Sequence, residues 1–166
     1  MAFTVELKGK PLEIKFGYGM FFKANKKLAS KDKNGNSQND GAGVLFAQVL
    51  EEDDDALVNI IKLAAKGDPS ENDVLTAIGE YVEKFDDEEE GYGKIFSDLK
   101  AEMLDSGFFV KKLKKYIGNL EKASEAMKGM HPTKDIENPK MQAKGIQELA
   151  DRMKKELSLP TVPDKD

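Results

Sequence analysis

Residues 3–16 read FTVELKGKPLEIKF, and each half of this stretch alternates apolar with polar side chains. An alternation with a period of two is typical of β-strands, so each half predicts a strand with one apolar face. Gly9 lies between the halves and can take the positive φ of a tight turn, while Pro11 is tolerated at the start of a strand. The stretch therefore predicts a β-hairpin. Because an isolated hairpin is only marginally stable in water, its apolar face must pack on other elements.

The remainder of the chain predicts helices that can cover the hairpin. Short helical runs are predicted over residues 20–28 and 44–50. Longer segments place apolar residues at intervals of three and four, which is the spacing of a buried helical stripe. These stripes are Leu57, Ile60, Ile61 and Ala64; Val74, Leu75, Ile78, Tyr81, Val82 and Phe85; Ile95, Phe96, Leu99 and Met103; Phe109, Leu113, Tyr116, Ile117, Leu120 and Met127; and, more weakly, Ile146, Leu149, Met153 and Leu157.

Turn and capping signals separate the predicted helices. Gly67-Asp68-Pro69, Gly91-Tyr92-Gly93 and Asp105-Ser106-Gly107 are each expected to interrupt a helix. Ser70, with Asp73 three residues later, predicts the N-cap of the helix after Pro69. The acidic runs at residues 51–55 and 86–90 suit the first turns of helices, where the helix dipole favours negative charge.

The fold class follows from these elements. We predict a mainly α-helical protein in which an N-terminal β-hairpin packs on a multi-helix bundle and a flexible C-terminal tail follows. Residues 1–129 are predicted to form the helical domain with its hairpin. Residues 130–166 are predicted to form a C-terminal segment with one weak helix and a disordered end, which contains Pro160 and Pro163.

Composition argues against several classes of function. The 166-residue chain has no cysteine, one histidine (His131) and a net charge of −5. The missing thiols and the lone histidine, in a predicted loop, leave little material for nucleophilic, acid–base or zinc chemistry. Negative net charge disfavours nucleic-acid binding, and no stretch approaches the roughly 20 apolar residues of a membrane span. We predict a cytosolic protein that is not an enzyme, has no catalytic, cofactor or metal site, and binds neither nucleic acid nor membrane.

Three local features contain some of the residues found in ligand-binding sites. Residues 32–37 resemble the start of a calcium loop, but Gly43 stands where a bidentate Glu is needed, which favours a flexible solvated loop. Gly41-Ala42-Gly43 lacks the Lys-Ser/Thr of a phosphate loop and is interpreted as a loose start to a helix. Consecutive carboxylates in the acidic runs point in different directions, so these runs are interpreted as solvated helix starts.

Charge is distributed unevenly along the chain. Residues 82–105 are rich in Asp and Glu, whereas the following predicted helix carries Lys111, Lys112, Lys114, Lys115, Lys122 and Lys128. Complementary faces on neighbouring copies would favour self-association. Pairing of two antiparallel helices within one chain explains the pattern equally well, so both interpretations stand.

The pair Phe108 and Phe109 follows directly after Ser106-Gly107. Aromatic residues at a helix start usually belong to the core, but two adjacent rings cannot face the same direction. At least one is expected to be partly exposed, and an exposed ring beside lysines is a natural anchor for a partner. We predict that Phe108, Phe109, Lys112 and Tyr116 bind a partner protein.

Two segments resemble the tail assembly chaperones of long-tailed, non-contractile bacteriophages of Gram-positive hosts. The first is residues 9–19, GKPLEIKFGYG, which resembles that family's hairpin with its Gly-Lys turn and Phe-Gly-aromatic-Gly ending. The second is residues 105–113, DSGFFVKKL, which resembles its Ser-Gly-Phe-Phe stop before a basic helix. The resemblance extends over about residues 3–118.

The resemblance implies a function without covalent chemistry. Such chaperones coat the tape measure protein in the host bacterial cytoplasm, keep it soluble, recruit tail tube subunits and are absent from the virion. The alternative is a structural phage component, such as a connector or tail tube subunit. Tube subunits are rich in long strands, and the single predicted hairpin argues against that class.

Overall fold

The computed structural model describes residues 3–158 and confirms a mainly helical chain with an N-terminal hairpin. It divides into two compact units, Met1–Val110 and Lys111–Asp166, which are described separately below. The elements are β1 (Phe3–Leu7), β2 (Lys10–Ile14), α1 (Tyr18–Leu28), α2 (Gly41–Leu50), α3 (Asp54–Ala64), α4 (Glu71–Glu83), α5 (Glu88–Leu104), α6 (Gly107–Lys128) and α7 (Pro139–Ser158).

The hairpin has the geometry that its sequence predicts. β1 and β2 pair antiparallel, and Leu7 opposite Lys10 leaves Lys8 and Gly9 as a two-residue turn. Both turn residues have positive φ, 53° and 75°, as a type I′ turn requires. Val5 and Ile14 are fully buried, because β1 packs on α4 and β2 packs on α3. The helices therefore cover the apolar face of the hairpin.

Helix α2 lies at the centre of the first unit. Its sequence, GAGVLFAQVL, contains no charged residue, and it packs on α1, α3 and α5. Leu45 and Phe46 are fully buried, as are Leu57 and Ile60 of the neighbouring α3. A short helix can pack on three neighbours in this way because it carries no charge that must remain in solvent.

Polar caps begin the next three helices, where the sequence predicts Ser70 as a cap and the two acidic runs as charges in first turns. Asp53 accepts a hydrogen bond from the Asp55 backbone N–H (2.9 Å) at the start of α3. Ser70 accepts from the Asp73 backbone N–H (3.2 Å) at the start of α4. The run at residues 86–90 supplies Asp87 as the N-cap of α5 and three glutamates in its first turn. These bonds pair backbone N–H groups that would otherwise lack a partner.

One predicted glycine break is wrong, and one helix begins earlier than predicted. Helix α5 continues through residues 91–93, and α2 begins at Gly41 rather than after Gly43. Gly91 is buried where a Cβ atom would lie 2.5 Å from the Val82 carbonyl oxygen of α4. A Cβ at Gly41 would overlap the backbone of Ala24 and Asn25 in α1. These glycines allow helix backbones to approach closely and do not interrupt helices.

The second unit contains the rest of α6 and all of α7. Ser124 is fully buried, and its Oγ donates to the Ala143 carbonyl oxygen (2.8 Å). Lys154 pairs with Glu121 at 2.7 Å. The weak terminal stripe does form a helix, in which Ala150 and Met153 are buried. The predicted disordered end lies outside the described residues, and the domain boundary predicted at residue 129 stays a prediction.

Among the helices of residues 3–158, none combines sufficient length with sufficient apolar character to cross a bilayer.

Alanine at Gly91 should destabilise the first unit by about 1–3 kcal/mol, because a methyl group there overpacks the contact between α4 and α5. The matched control is Gly93→Ala in the same helix, where no atom lies within 4 Å of the added Cβ. That variant should gain up to about 1 kcal/mol from helix propensity. Urea unfolding monitored by circular dichroism measures both, and equal effects would contradict the close approach.

Candidate functional site

Two segments that lie far apart in the chain meet at one point of the first unit. The Ser106 hydroxyl donates to the Phe16 carbonyl oxygen at 2.5 Å, across 90 residues of sequence. Phe16 follows β2, and Ser106 lies between α5 and α6. We call this meeting point the junction. It joins the end of the hairpin to the corner between α5 and α6.

The Ser106 side chain has a second bond at the junction. Its Oγ accepts from the Phe109 backbone N–H at 3.4 Å, and its carbonyl accepts from the Val110 N–H at 3.0 Å. A hydroxyl group can donate one bond and accept others, which an alanine cannot do. Ser106 therefore caps α6 and ties the helix start to the hairpin at the same time.

This geometry gives Phe108 and Phe109 opposite environments. Phe109 is fully buried, with its ring centroid 5.2 Å from that of Phe16 and 6.4 Å from that of Phe21. Phe108 is 52% exposed. The expectation that the two rings cannot both be core residues is confirmed. Phe109 packs in the core beneath this surface, and Phe108 is the member of the pair that can contact a partner.

Two exposed aromatic residues of α1 extend the surface that begins at Phe108. Tyr18 is 61% exposed and Phe22 is 54% exposed. The Tyr18 and Phe108 ring centroids are 5.6 Å apart, and Phe22 lies one helical turn beyond Tyr18. We call Tyr18, Phe22 and Phe108 the aromatic strip. Large apolar side chains grouped on a surface are a mark of a protein-binding site.

The sequence interpretation missed Tyr18 and Phe22. The available signal was the spacing of Met20 and Ala24, four residues apart, and in the structure both are buried on the face of α1 that lies against the core. Residues 18 and 22 then fall on the opposite face of a 3.6-residue helix. The helix predicted from residue 20 left out Tyr18, and no buried stripe was defined for it, so the exposure of Phe22 was not predicted.

A shallow groove borders the strip at the Phe108 end. It has a volume of about 470 Å³ and is lined by residues 13–17, Glu102 and residues 105–108. Its charged side chains are Glu13, Glu102, Asp105 and Lys15, so negative charge prevails. At the other end of the strip, the Lys26 ammonium lies 6.0 Å from the centroid of the Phe22 ring.

The other two predicted site residues lie in the second unit. Lys112 and Tyr116 are both half-buried on α6, and each has interactions within the chain. Phe108 belongs to the first unit. Partner binding by Lys112 and Tyr116 stays a prediction.

The acidic helix starts form a separate surface of the first unit. The Tyr92 hydroxyl donates to the Asp54 carboxylate at 2.6 Å and so joins α5 to the start of α3. This hydrogen bond, with burial and the neighbouring carboxylates, raises the pKa of Tyr92 to about 12. Within residues 3–158 no group of three or more His, Cys, Asp or Glu side chains is arranged to hold a metal ion.

The loop before α2 is ordered by its own hydrogen bonds. The Asp32 carboxylate accepts from the backbone N–H groups of Asn34 (2.8 Å) and Asn36 (2.9 Å). Asp40 accepts from the backbone and the hydroxyl of Ser30. Asp32 and Asp40 therefore organise the loop locally, as Asx turns do. His131 is exposed in the connection between α6 and α7.

Substituting Ser106 by alanine should cost about 1–2 kcal/mol, because the variant loses a helix cap and a partly buried hydrogen bond. Ser97→Ala is the control, since Ser97 is exposed on α5 and should change stability by less than about 0.5 kcal/mol. Chemical denaturation measures both variants. A Ser106 variant as stable as the Ser97 variant would show that the junction does not depend on this hydroxyl.

Comparison with known families gave one informative match. A family model described as phage tail assembly chaperone protein, TAC, matches residues 4–117, which include both segments of the junction. Neither the curated proteins nor the solved structures gave a match.

Proposed function

Because the chain belongs to the family of phage tail assembly chaperones, we propose that it binds and solubilises the tape measure protein and recruits tail tube subunits. It does this in the cytoplasm of a Gram-positive host, during assembly of a long-tailed, non-contractile phage, and it is absent from the mature virion. Its function depends on reversible contacts and involves no covalent chemistry.

The observation that supports this proposal most strongly is the aromatic strip at the junction. Three large rings remain half or more exposed although the neighbouring core is complete. A second protein can cover this exposed apolar area without any change in the packing of the chaperone's own core. A tape measure protein presents long apolar helical stripes until the tube encloses it, and these stripes need temporary cover.

The strength of the contact suits a chaperone that must later be displaced. Completing the burial of a half-exposed aromatic ring contributes about 1 kcal/mol, so three rings alone give a weak complex. Many copies on one tape measure protein would hold it through the sum of such contacts. The major tail tube protein can then replace them one copy at a time, because each copy dissociates rapidly.

The class of structural tail component receives less support. Such a subunit would have to build a permanent assembly, for which tube proteins use long strands. The only sheet within residues 3–158 is the two-stranded hairpin, and one of its faces is occupied by α3 and α4.

Co-expression with the tape measure protein of the same phage tests the proposal. The double variant Tyr18→Ser, Phe108→Ser should leave the tape measure protein insoluble, because losing about 2 kcal/mol weakens binding about 30-fold. The soluble fraction of the tape measure protein, measured after centrifugation, is the readout. Both positions are exposed, so the variant should fold normally, which circular dichroism checks.

The control for this experiment is a double variant outside the strip. Leu75 and Met141 are 49% and 68% exposed, so Leu75→Ser, Met141→Ser removes a comparable apolar area. It should keep the tape measure protein soluble. Equal solubility with both double variants would contradict a binding role for the strip, and loss with both would indicate a nonspecific apolar effect.

A further inference from the structure

We infer that the aromatic strip binds an amphipathic helix whose two ends carry opposite charges. Basic residues of that helix lie over the groove beside Phe108, and acidic residues lie near Lys26. The inference rests on the proposed function, because it describes the chemistry of the segment bound at the same surface.

The strip has the shape of a line along α1. Tyr18, Phe22 and Lys26 follow one another at intervals of four residues, so they span about 12 Å along the helix axis. Phe108 lies next to Tyr18 at a ring separation of 5.6 Å, and it lines the groove together with residues 13–17, which precede α1. A line of this length matches about two turns of a second helix lying along α1.

Gly19 favours a helix as the occupant. It is exposed on α1, and no atom lies within 4 Å of the place where a Cβ would be. Residues 19, 22, 23 and 26 are spaced like the four residues that form a hole for one side chain of a packed helix. The missing side chain at position 19 deepens that hole beside the Phe22 ring, where an apolar residue of the partner can insert.

The groove end of the line carries negative charge. Glu13, Glu102 and Asp105 line the groove, and Lys15 is its only cation. The Lys15 ammonium lies 3.6 Å from the Glu13 carboxylate, which offsets one of the three acidic groups. Two carboxylates therefore remain to attract lysine or arginine from a partner.

The opposite end carries positive charge. Helix α1 contains Lys23, Lys26 and Lys27 and no acidic residue. Lys23 donates to the Leu63 carbonyl oxygen (3.3 Å) and so points toward α3. Lys26 lies over the Phe22 ring, and Lys27 is exposed beside it in the sequence. An acidic end of the bound helix would meet Lys26 directly after passing Phe22.

Three synthetic helical peptides with the same leucine stripe test this inference on the intact protein. The first carries lysines in one half and glutamates in the other, the second carries only glutamates, and the third only lysines. At low salt the first should bind about tenfold more tightly than either of the others, with the advantage shrinking in 0.5 M salt. Equal affinities, or tighter binding of a single-sign peptide, would overturn the inference.

Charge reversal on the protein tests whether Lys26 and Lys27 form the positively charged end of the binding surface. The double variant Lys26→Glu, Lys27→Glu should bind the two-sign peptide about tenfold more weakly and the all-lysine peptide more tightly. Lys10→Glu, Lys66→Glu changes the net charge equally at exposed positions outside the strip and should leave both affinities unchanged. Identical behaviour of the two double variants would show that only net charge matters and would overturn the inference.

The two proposals fail in distinguishable ways. If the peptides bind alike while tape measure solubility still requires Tyr18 and Phe108, the proposed function stands and the charge pattern is wrong. If sedimentation shows that a second copy of the chain occupies the strip and excludes the two-sign peptide, the inference is overturned in favour of self-association.

Discussion

The hydrogen bond from the Ser106 hydroxyl to the Phe16 carbonyl oxygen is the constraint on which the binding surface depends. It holds the end of the hairpin against the start of α6. Because the Ser106 Oγ also accepts from the Phe109 N–H, it helps to orient the first turn of α6 relative to the hairpin. That orientation places Phe109 in the core and Phe108 in solvent. A partly buried polar contact thus helps to decide which aromatic ring a partner can contact.

The exposed rings are compatible with a stable unit because the core beneath them is complete. Phe16 and Phe109 meet edge to face below the strip, and α2 fills the centre with residues that carry no charge. Close approaches at Gly41 and Gly91 bring the helix backbones near enough for this core to close. The protein can therefore leave Tyr18, Phe22 and Phe108 exposed, since none of them is needed to fill the interior.

The sequence predicted those features that depend on local chemistry. Alternation and the Gly9 turn defined the hairpin, and Ser70 and the acidic runs marked helix starts, because each signal acts within a few residues. Gly91 was misinterpreted because a glycine that ends a helix and one that permits a close approach look alike in sequence. From the sequence, the two sides of the junction were recognised only as two separate motifs. The residues that form the contact are 90 positions apart in sequence. Whether they meet is set by the packing of all the helices between them.

We propose that Phe108 lies against the tape measure protein in the chaperone complex. A photo-reactive phenylalanine analogue at position 108, irradiated in cells that also make the tape measure protein, tests this claim most directly. Position 75 is the reference, because Leu75 is similarly exposed on α4. We expect a covalent adduct with the tape measure protein from position 108 and little or none from position 75. Adducts of equal yield from both positions, in a complex that keeps the tape measure protein soluble, would contradict a specific contact at Phe108.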